Sequence, residues 1–186
     1  MIVWNPGQND SVPRANLVEQ TLVEYPIPLL QMRNNDGTVM TATGGAGLFS
    51  IFATGAILLI GETANSNTKT DYALTEFVIP PEYVAAHDFK VIVNAEWTDM
   101  GNLTTRTVDV EAYLVGDDGA DGADICATAA EVVDQTATDY PFTVTAATLT
   151  PSAKLKIRVT AVATEADSCD AHMVVHNIRV QADIKG

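Results

Sequence analysis

The chain has 186 residues, of which 47% are hydrophobic and 18% are charged, and its 24 acidic and 10 basic residues give a formal net charge of −14. This length and apolar content suit one folded domain whose core needs no disulfide framework. The excess of acidic residues repels phosphate backbones and anionic lipid surfaces, which excludes nucleic acid and membrane surfaces as partners.

Residues 1–35 are predicted to form an extended arm ahead of a domain that spans residues 36–186. Four prolines in the arm fix the backbone and remove hydrogen-bond donors, which disfavours a helix. Its apolar side chains favour docking, either on the chain's own sandwich or on a neighbouring subunit. The docking candidates are Trp4, Leu22, Tyr25 and Ile27.

Residues 37–61 form an uncharged, glycine-rich zone. Its apolar run is shorter than the roughly 20 residues that a membrane-spanning helix needs, and glycines interrupt it. We therefore expect buried strands or a loop that contacts other copies of the chain. The candidates for such an oligomer contact are Leu48, Phe49, Ile51, Phe52, Ile57 and Leu58.

The rest of the chain shows the alternation of apolar and polar residues that is typical of strands with one buried and one solvent-exposed face. The pattern is clearest at residues 89–97, and the other segments are rich in β-branched residues. We predict strands at 71–79, 88–98, 104–115, 141–148, 154–164 and 171–184. The alanines of residues 121–135 are also compatible with a short helix in that stretch. The fold is therefore predicted to be all-β, an antiparallel β-sandwich or jelly roll with an extended N-terminal arm.

The fifth predicted strand has an apolar face and a basic face. Its basic face carries Lys154, Lys156 and Arg158. We expect these cations to pair with Asp109 and Glu111 on the polar face of the third predicted strand. The alternative is a docking stripe for an acidic partner.

Four aspartates in a glycine-rich loop, Asp117, Asp118, Asp121 and Asp124, are candidates for calcium binding, because hard cations prefer clustered carboxylate oxygens. The EF-hand register fails, since glycine and threonine occupy positions where that motif requires ligands. A solvated acidic hairpin loop is the alternative.

The sequence offers no constellation for catalysis. His172 and His176 lie four residues apart, but in a strand that spacing separates them by roughly 13 Å, too far for one metal ion. Cys126 and Cys169 lack the spacing of a metal site, so they are free thiols or form a single bridge. A nucleophile elbow and a phosphate-binding loop are also missing from the sequence. We expect no catalytic residue, no cofactor and no enzymatic activity.

Five segments, 25–29, 32–36, 79–85, 108–113 and 124–130, resemble a group of virion proteins of tailed bacteriophages from aquatic environments. The resemblance implies a jelly-roll or sandwich protein that decorates or cements a capsid as a dimer or trimer. Its partner would then be the shell of major capsid protein. Its location would be the virion surface, after synthesis in the host cytoplasm. The shared segments are structural, so no functional residue is carried over.

A second function stays open, a glycan- or receptor-binding sandwich module of a tail or fibre. Such modules place exposed aromatic side chains on a sheet, and Trp97, Tyr113 and Tyr83 are the candidates. Trp97 lies on the apolar face of its strand, so we expect it to pack in the core.

Overall fold

The computed structural model describes residues 20–40, 50–51, 57–60, 68–98, 103–165 and 172–185. These ranges contain two short 3₁₀ turns but no helix long and apolar enough to cross a membrane. In chain order the strands are β1 (Gln20–Ile27), β2 (Ser50–Ile51), β3 (Ile57–Ile60), β4 (Thr68–Val78), β5 (Phe89–Thr98), β6 (Leu103–Val115), β7 (Asp121–Asp124), β8 (Glu131–Val132), β9 (Thr138–Thr143), β10 (Lys154–Glu165) and β11 (His172–Lys185).

The strands form two antiparallel sheets. The first has the order β2-β3-β11-β5-β9, and β1 pairs with β11 on the same side as β3. The second has the order β4-β10-β6, and the short strands β7 and β8 both pair with β6. The predicted antiparallel β-sandwich is therefore confirmed.

The core lies between the sheets and is built from alternating residues of the strands. Every second residue of β5 and of β10 is buried, and these inward side chains are Phe89, Val91, Val93, Ala95, Trp97, Leu155, Ile157, Val159, Ala161 and Ala163. The predicted apolar face of the fifth strand is confirmed by this set. Burial of apolar area of this kind is the main favourable term in folding.

Five of the six predicted strands agree with β4, β5, β6, β10 and β11 to within a few residues. The strand expected at 141–148 begins and ends earlier, at Thr138–Thr143, and residues 146–148 form a 3₁₀ turn. Pro141 lies inside this strand, where it is tolerated because β9 is at the edge of its sheet. The helix left open at 121–135 is absent, because β7 and β8 both lie in that stretch.

The predicted arm is in part a strand of the sandwich. Residues 20–27 form β1 along the edge of the first sheet, with Tyr25 opposite Val180. The Tyr25 ring packs edge-on against Phe77 of the second sheet at a centroid distance of 6.0 Å, and Phe77 packs in turn against Phe89 at 6.2 Å. This aromatic row closes one side of the sandwich. Residues 1–19 of the predicted arm lie outside the described residues.

The chain then crosses from the first sheet to the edge of the second. Met32 and Met40 are both buried in the core and hold the two ends of a short hairpin. Between them, Arg33 and Leu74 exchange two backbone hydrogen bonds of 2.8 Å, which attach the hairpin to β4. This crossing places residues 33–39 beside the outer face of the second sheet.

Candidate functional site

A groove lies between that hairpin and the outer face of the second sheet, and it is here called the outer groove. It comprises two adjoining depressions, of about 560 Å³ and about 260 Å³, that share Leu74 and Lys156. The side chains along it are Gln31, Arg33 and Asn35 on the hairpin side, Leu74, Glu76, Lys156 and Arg158 on the floor, and Tyr113 and Asp121 on the far side.

The hairpin wall of the groove is held in one conformation by local hydrogen bonds. The Asn34 amide donates to the Thr38 hydroxyl at 2.9 Å, and Asp36 accepts bonds from both the Thr38 backbone N–H and its hydroxyl. These bonds hold the pKa of Asp36 below its ordinary value. Gly37 has φ +81°, a conformation that glycine adopts without strain. The wall is therefore formed before any ligand arrives.

The floor of the groove is organised around Arg158. Its guanidinium lies 5.1 Å from the centre of the Tyr72 ring and 5.5 Å from that of Tyr113, and it donates two hydrogen bonds to the Glu111 carboxylate. Cation–π contacts on both sides and a bidentate ion pair restrict the planar guanidinium strongly. The position of the Tyr113 ring along the groove is set by this stack.

Glu111 is fully engaged by its neighbours. It also accepts hydrogen bonds from the hydroxyls of Thr160 at 2.8 Å and Tyr113 at 3.2 Å. The hydrogen bonds from Arg158 hold the pKa of Glu111 below its ordinary value, against the opposing effect of burial. Burial, and next the Glu111 charge, raise the pKa of Tyr113. A carboxylate so committed is stabilised in its charged form and is a poor proton donor.

The expected pairing of the basic face is confirmed for Arg158 with Glu111. Lys156 instead pairs with Asp121 of β7, at 2.6 Å. Asp109 accepts a hydrogen bond from the Val110 N–H, and burial raises its pKa. The sequence pattern placed Asp109 on the correct face but could not place β7 beside β6.

The four calcium candidates are dispersed along the β6–β7 hairpin, with Asp117 and Asp118 in its turn and Asp121 and Asp124 at the two ends of β7. Asp118 accepts a bond from the Ala120 N–H, and Asp124 accepts from the N–H groups of Ala112 and Cys126. With Asp121 paired to Lys156, three of the four carboxylates have other partners, and no cluster of metal-ligating side chains occurs among the residues that the structure describes. Asp117, the fourth, is exposed in the turn.

Two of the three aromatic candidates for a glycan surface are core residues. Trp97 and Tyr83 are each 1% exposed, and the Tyr83 hydroxyl donates to the His87 carbonyl at 2.7 Å. Tyr113 alone is half-buried on an outer face. Alternation explains the difference, because Trp97 points to the same side of β5 as Phe89 while Tyr113 points away from the core side of β6.

Two histidines, His87 and His176, and the described cysteine form structural contacts. His176 lies 3.1 Å from Glu96 on the neighbouring strand, and His87 lies 3.4 Å from Asp183. Cys126 is a free thiol, and burial raises its pKa to about 11, so it is protonated near neutral pH. Cys169 lies outside the described residues.

The arm and oligomer candidates are only partly described. Ile27 is buried and Tyr25 packs on Phe77, so both contact this chain's own sandwich, whereas Leu22 is 52% exposed. Ile51 lies in β2, and Ile57 and Leu58 lie in β3. Trp4, Leu48, Phe49 and Phe52 lie outside the described residues.

Sequence reasoning missed the hairpin side of the groove. Arg33 and Asn35 stand in what was predicted to be the end of the arm, with no motif of their own. The signal that could have found them is the spacing of Met32 and Met40, two apolar residues around a polar turn that contains Asn-Asp-Gly. Tyr72 and Leu74 belong to the alternating pattern that predicted β4, but only the order of the strands in the sheet brings them next to Arg158.

Comparison with known proteins does not assign the chain to a family. No protein-family model matches the chain, and no curated protein matches it. Among solved structures, the chain is similar to TmCBM27, a carbohydrate-binding module studied for its specific mannan recognition, at 14% identity over 88% of this chain and 98% of that one, with a TM-score of 0.44.

Two further similarities are to larger chains. In a family two carbohydrate esterase from Cellvibrio japonicus, the match has 5% identity and a TM-score of 0.39, and it covers 89% of this chain but only 34% of that one. In the structure of infectious bursal disease virus, Gx strain, it has 13% identity and a TM-score of 0.33, with 70% of this chain and 32% of that one covered. At these values the likeness carries no argument about ligand or partner.

Proposed function

We propose that this protein is a non-catalytic binding module that holds a glycan chain in the outer groove, the glycan-binding function that the sequence left open. The observation that carries the proposal is the Tyr113 ring, fixed at the side of a preformed groove whose other side chains are mostly polar. Sugars present apolar C–H faces and polar hydroxyls together, and a site that mixes an aromatic ring with a few fixed polar groups matches both.

The polar groups of the groove suit hydroxyl recognition. Asn35 supplies an amide that both donates and accepts, Lys156 donates, and Asp121 and Glu76 accept. Lys156 and Asp121 hold each other at 2.6 Å, which limits the side-chain entropy lost when a ligand binds. The larger depression, of about 560 Å³, is of the size that small-ligand sites commonly have.

Binding without catalysis is proposed because, of the three carboxylates beside the groove, only Glu76 lacks an ion-pair partner among the described residues. Glycoside hydrolysis needs one carboxyl group poised as an acid and a second free to act as base or nucleophile. Glu111 is held ionised by Arg158, and Asp121 is paired with Lys156. Both carboxylates are therefore held in ion pairs, which disfavours proton transfer between them and a ligand.

The test is affinity electrophoresis of the purified chain through gels that contain soluble polysaccharides, neutral and acidic in turn. We expect at least one polysaccharide to retard the wild type and Tyr113→Ala to remove most of that retardation. Val132→Ala, which shortens an exposed side chain on the same sheet outside the groove, is the matched control. If no polysaccharide retards the wild type, or if Tyr113→Ala binds as well as wild type, the proposal is wrong.

A second function, decoration of a bacteriophage capsid, is proposed on a separate observation. β1 begins at Gln20, the first described residue, and pairs with β11 alone among the described residues, so its other edge has no described partner. Such an edge suits an arm that reaches a shell of major capsid protein on the virion surface. The bacteriophage resemblance supports the same assignment, with a dimer or trimer formed through the zone of Leu48 to Leu58.

Rebinding to capsids stripped of surface proteins tests this second function. We expect the full chain to sediment with the capsids and a truncation that begins at Gln20 to lose that association. Light scattering on the free chain tests the oligomer. Full-length chain that stays in the supernatant would contradict the decoration function and leave the glycan proposal unaffected.

A further inference from the structure

We infer that the ligand of the outer groove carries carboxylate groups, as a uronic-acid polysaccharide does, and that Arg33 binds them. This inference rests on the proposed glycan-binding function and names the chemical class of the ligand. The groove carries three cations, and two of them are already neutralised by carboxylates of the chain.

Arg33 differs from the other two cations of the groove in having no carboxylate partner among the described residues. Lys156 is neutralised by Asp121, and Arg158 by Glu111. The side chain of Arg33 makes one described hydrogen bond, from Nη1 to the carbonyl of Met32 at 3.3 Å. A guanidinium has five N–H donors, so most of those on Arg33 are available to a ligand.

The backbone of Arg33 is nevertheless held firmly. Its N–H and C=O both bond to Leu74 at 2.8 Å, and the buried side chain of Met32 precedes it. A fixed backbone beneath an available guanidinium places a planar fork of donors at the side of the groove. That fork matches the two oxygens of a carboxylate in geometry as well as in charge.

The groove is also a place where an acidic polymer can approach this acidic protein. Elsewhere the net charge of −14 opposes a polyanion. Counting the lining side chains and Glu111, the partner of Arg158, three cations meet three carboxylates, and Asp36 in the hairpin wall adds one further negative charge, so the groove is less acidic than the chain as a whole. Glu76 is exposed and has no described ion-pair partner, and it opposes a carboxylate in the larger depression. The favoured position of the carboxylate is therefore on the hairpin side, at Arg33.

The experiment compares two forms of one polymer, sodium polygalacturonate and the same polymer with its carboxylates methyl-esterified. We expect the wild type to bind the acidic form about tenfold more tightly, since hydrogen bonds between charged groups exceed neutral ones by about that factor. Added salt is expected to reduce this preference. Arg33→Gln is expected to abolish it while retaining binding of the esterified form, and Glu76→Gln to increase it.

The outcomes separate the inference from the proposed function. Equal binding of both forms, or an Arg33→Gln variant that keeps the acidic preference, overturns the carboxylate inference and leaves glycan binding in place. Binding of neither form, nor of any polysaccharide in the electrophoresis panel, overturns both. Thermal melting of Arg33→Gln confirms that the variant is folded, and the opposite effect expected from Glu76→Gln supplies an independent check.

Discussion

Replacement of Asp71 by asparagine is expected to stabilise the protein at alkaline pH and not at acid pH. Asp71 lies on the core side of β4, is 2% exposed, and has one carboxylate oxygen, Oδ2, without a hydrogen-bond partner among the described residues. Ala161 is opposite it on β10, and Ala73 follows on the same face. Burial raises the pKa of Asp71 to about 7, against smaller opposing effects from the Tyr72 N–H and the Lys69 charge.

The magnitude follows from this pKa and its ordinary value of 3.8. A difference of about three units, at about 1.4 kcal/mol each, gives about 4 kcal/mol as the cost of the buried charge when it is fully ionised. Between pH 4 and 7 the folded protein retains a proton that the unfolded chain has released. The free energy of unfolding therefore decreases as pH rises through this window and reaches a constant penalty above pH 7.

Asparagine cannot ionise, so the variant lacks this pH-dependent loss. Its amide leaves a buried donor unsatisfied, which costs about 1–3 kcal/mol at every pH. The difference in unfolding free energy, variant minus wild type, is thus expected to begin negative near pH 4 and to rise by about 4 kcal/mol, to a positive value, by pH 8.

The assay is urea unfolding of both proteins at pH intervals from 4.5 to 8.5, followed by circular dichroism. Exposed Asp117→Asn removes the same charge outside the core, and its stability curve is expected to run parallel to that of the wild type. Parallel curves for Asp71→Asn and wild type would refute the reasoning, since they would mean that Asp71 is ionised over the whole range or reaches water.

Three further predictions concern the groove, the β6–β7 turn and the core. Glu111→Gln is expected to lower the unfolding free energy at pH 7 by about 1–2 kcal/mol, because Arg158 loses a charged partner. The pKa of Glu111 in the folded protein lies below its ordinary value of 4.5, so this contribution is present above that pH and is lost as the pH falls further. Urea unfolding at pH 7 and pH 3 should show the gap narrowing, and a gap that persists at pH 3 would contradict the role of the charge. Gly119 has φ +80° and open space around an added Cβ, so Gly119→Ala is expected to lower the free energy of unfolding by about 1 kcal/mol through backbone strain alone. Calorimetry should show a melting temperature about 2–4 °C lower. An unchanged melting temperature would contradict the positive φ at Gly119. In a Trp4→Phe variant the emission of Trp97, the remaining tryptophan, is expected to be blue-shifted and resistant to acrylamide, whereas a red-shifted, quenchable emission would contradict its burial.

Several elements of the fold could be predicted because their determinants are local. A strand with one buried face shows a period of two residues, so β5 and β10 were predicted together with the side chains that face the core. The same alternation separated Trp97, which is buried, from Lys156 and Arg158, which lie outward.

The errors occurred where a residue's position in the sheet changes the meaning of a local signal. Proline argues against a strand, yet Pro26 lies in β1 and Pro141 in β9, both of which are edge strands. An edge strand leaves half of its N–H groups unpaired, so the missing donor of proline costs little there. Which strands become edges depends on the whole sheet order, and that order is invisible in a run of ten residues.

The sequence by itself determined the all-β class, the strand faces and the acidic surface, because alternation and composition act over short distances or over the whole chain. Only the tertiary structure decided the outer groove. Its side chains come from positions 31 to 158 and meet because β4, β10 and β6 lie side by side and the hairpin between Met32 and Met40 closes over the edge of β4. Contacts between such distant segments are selected by burial of the entire core, which no local pattern encodes.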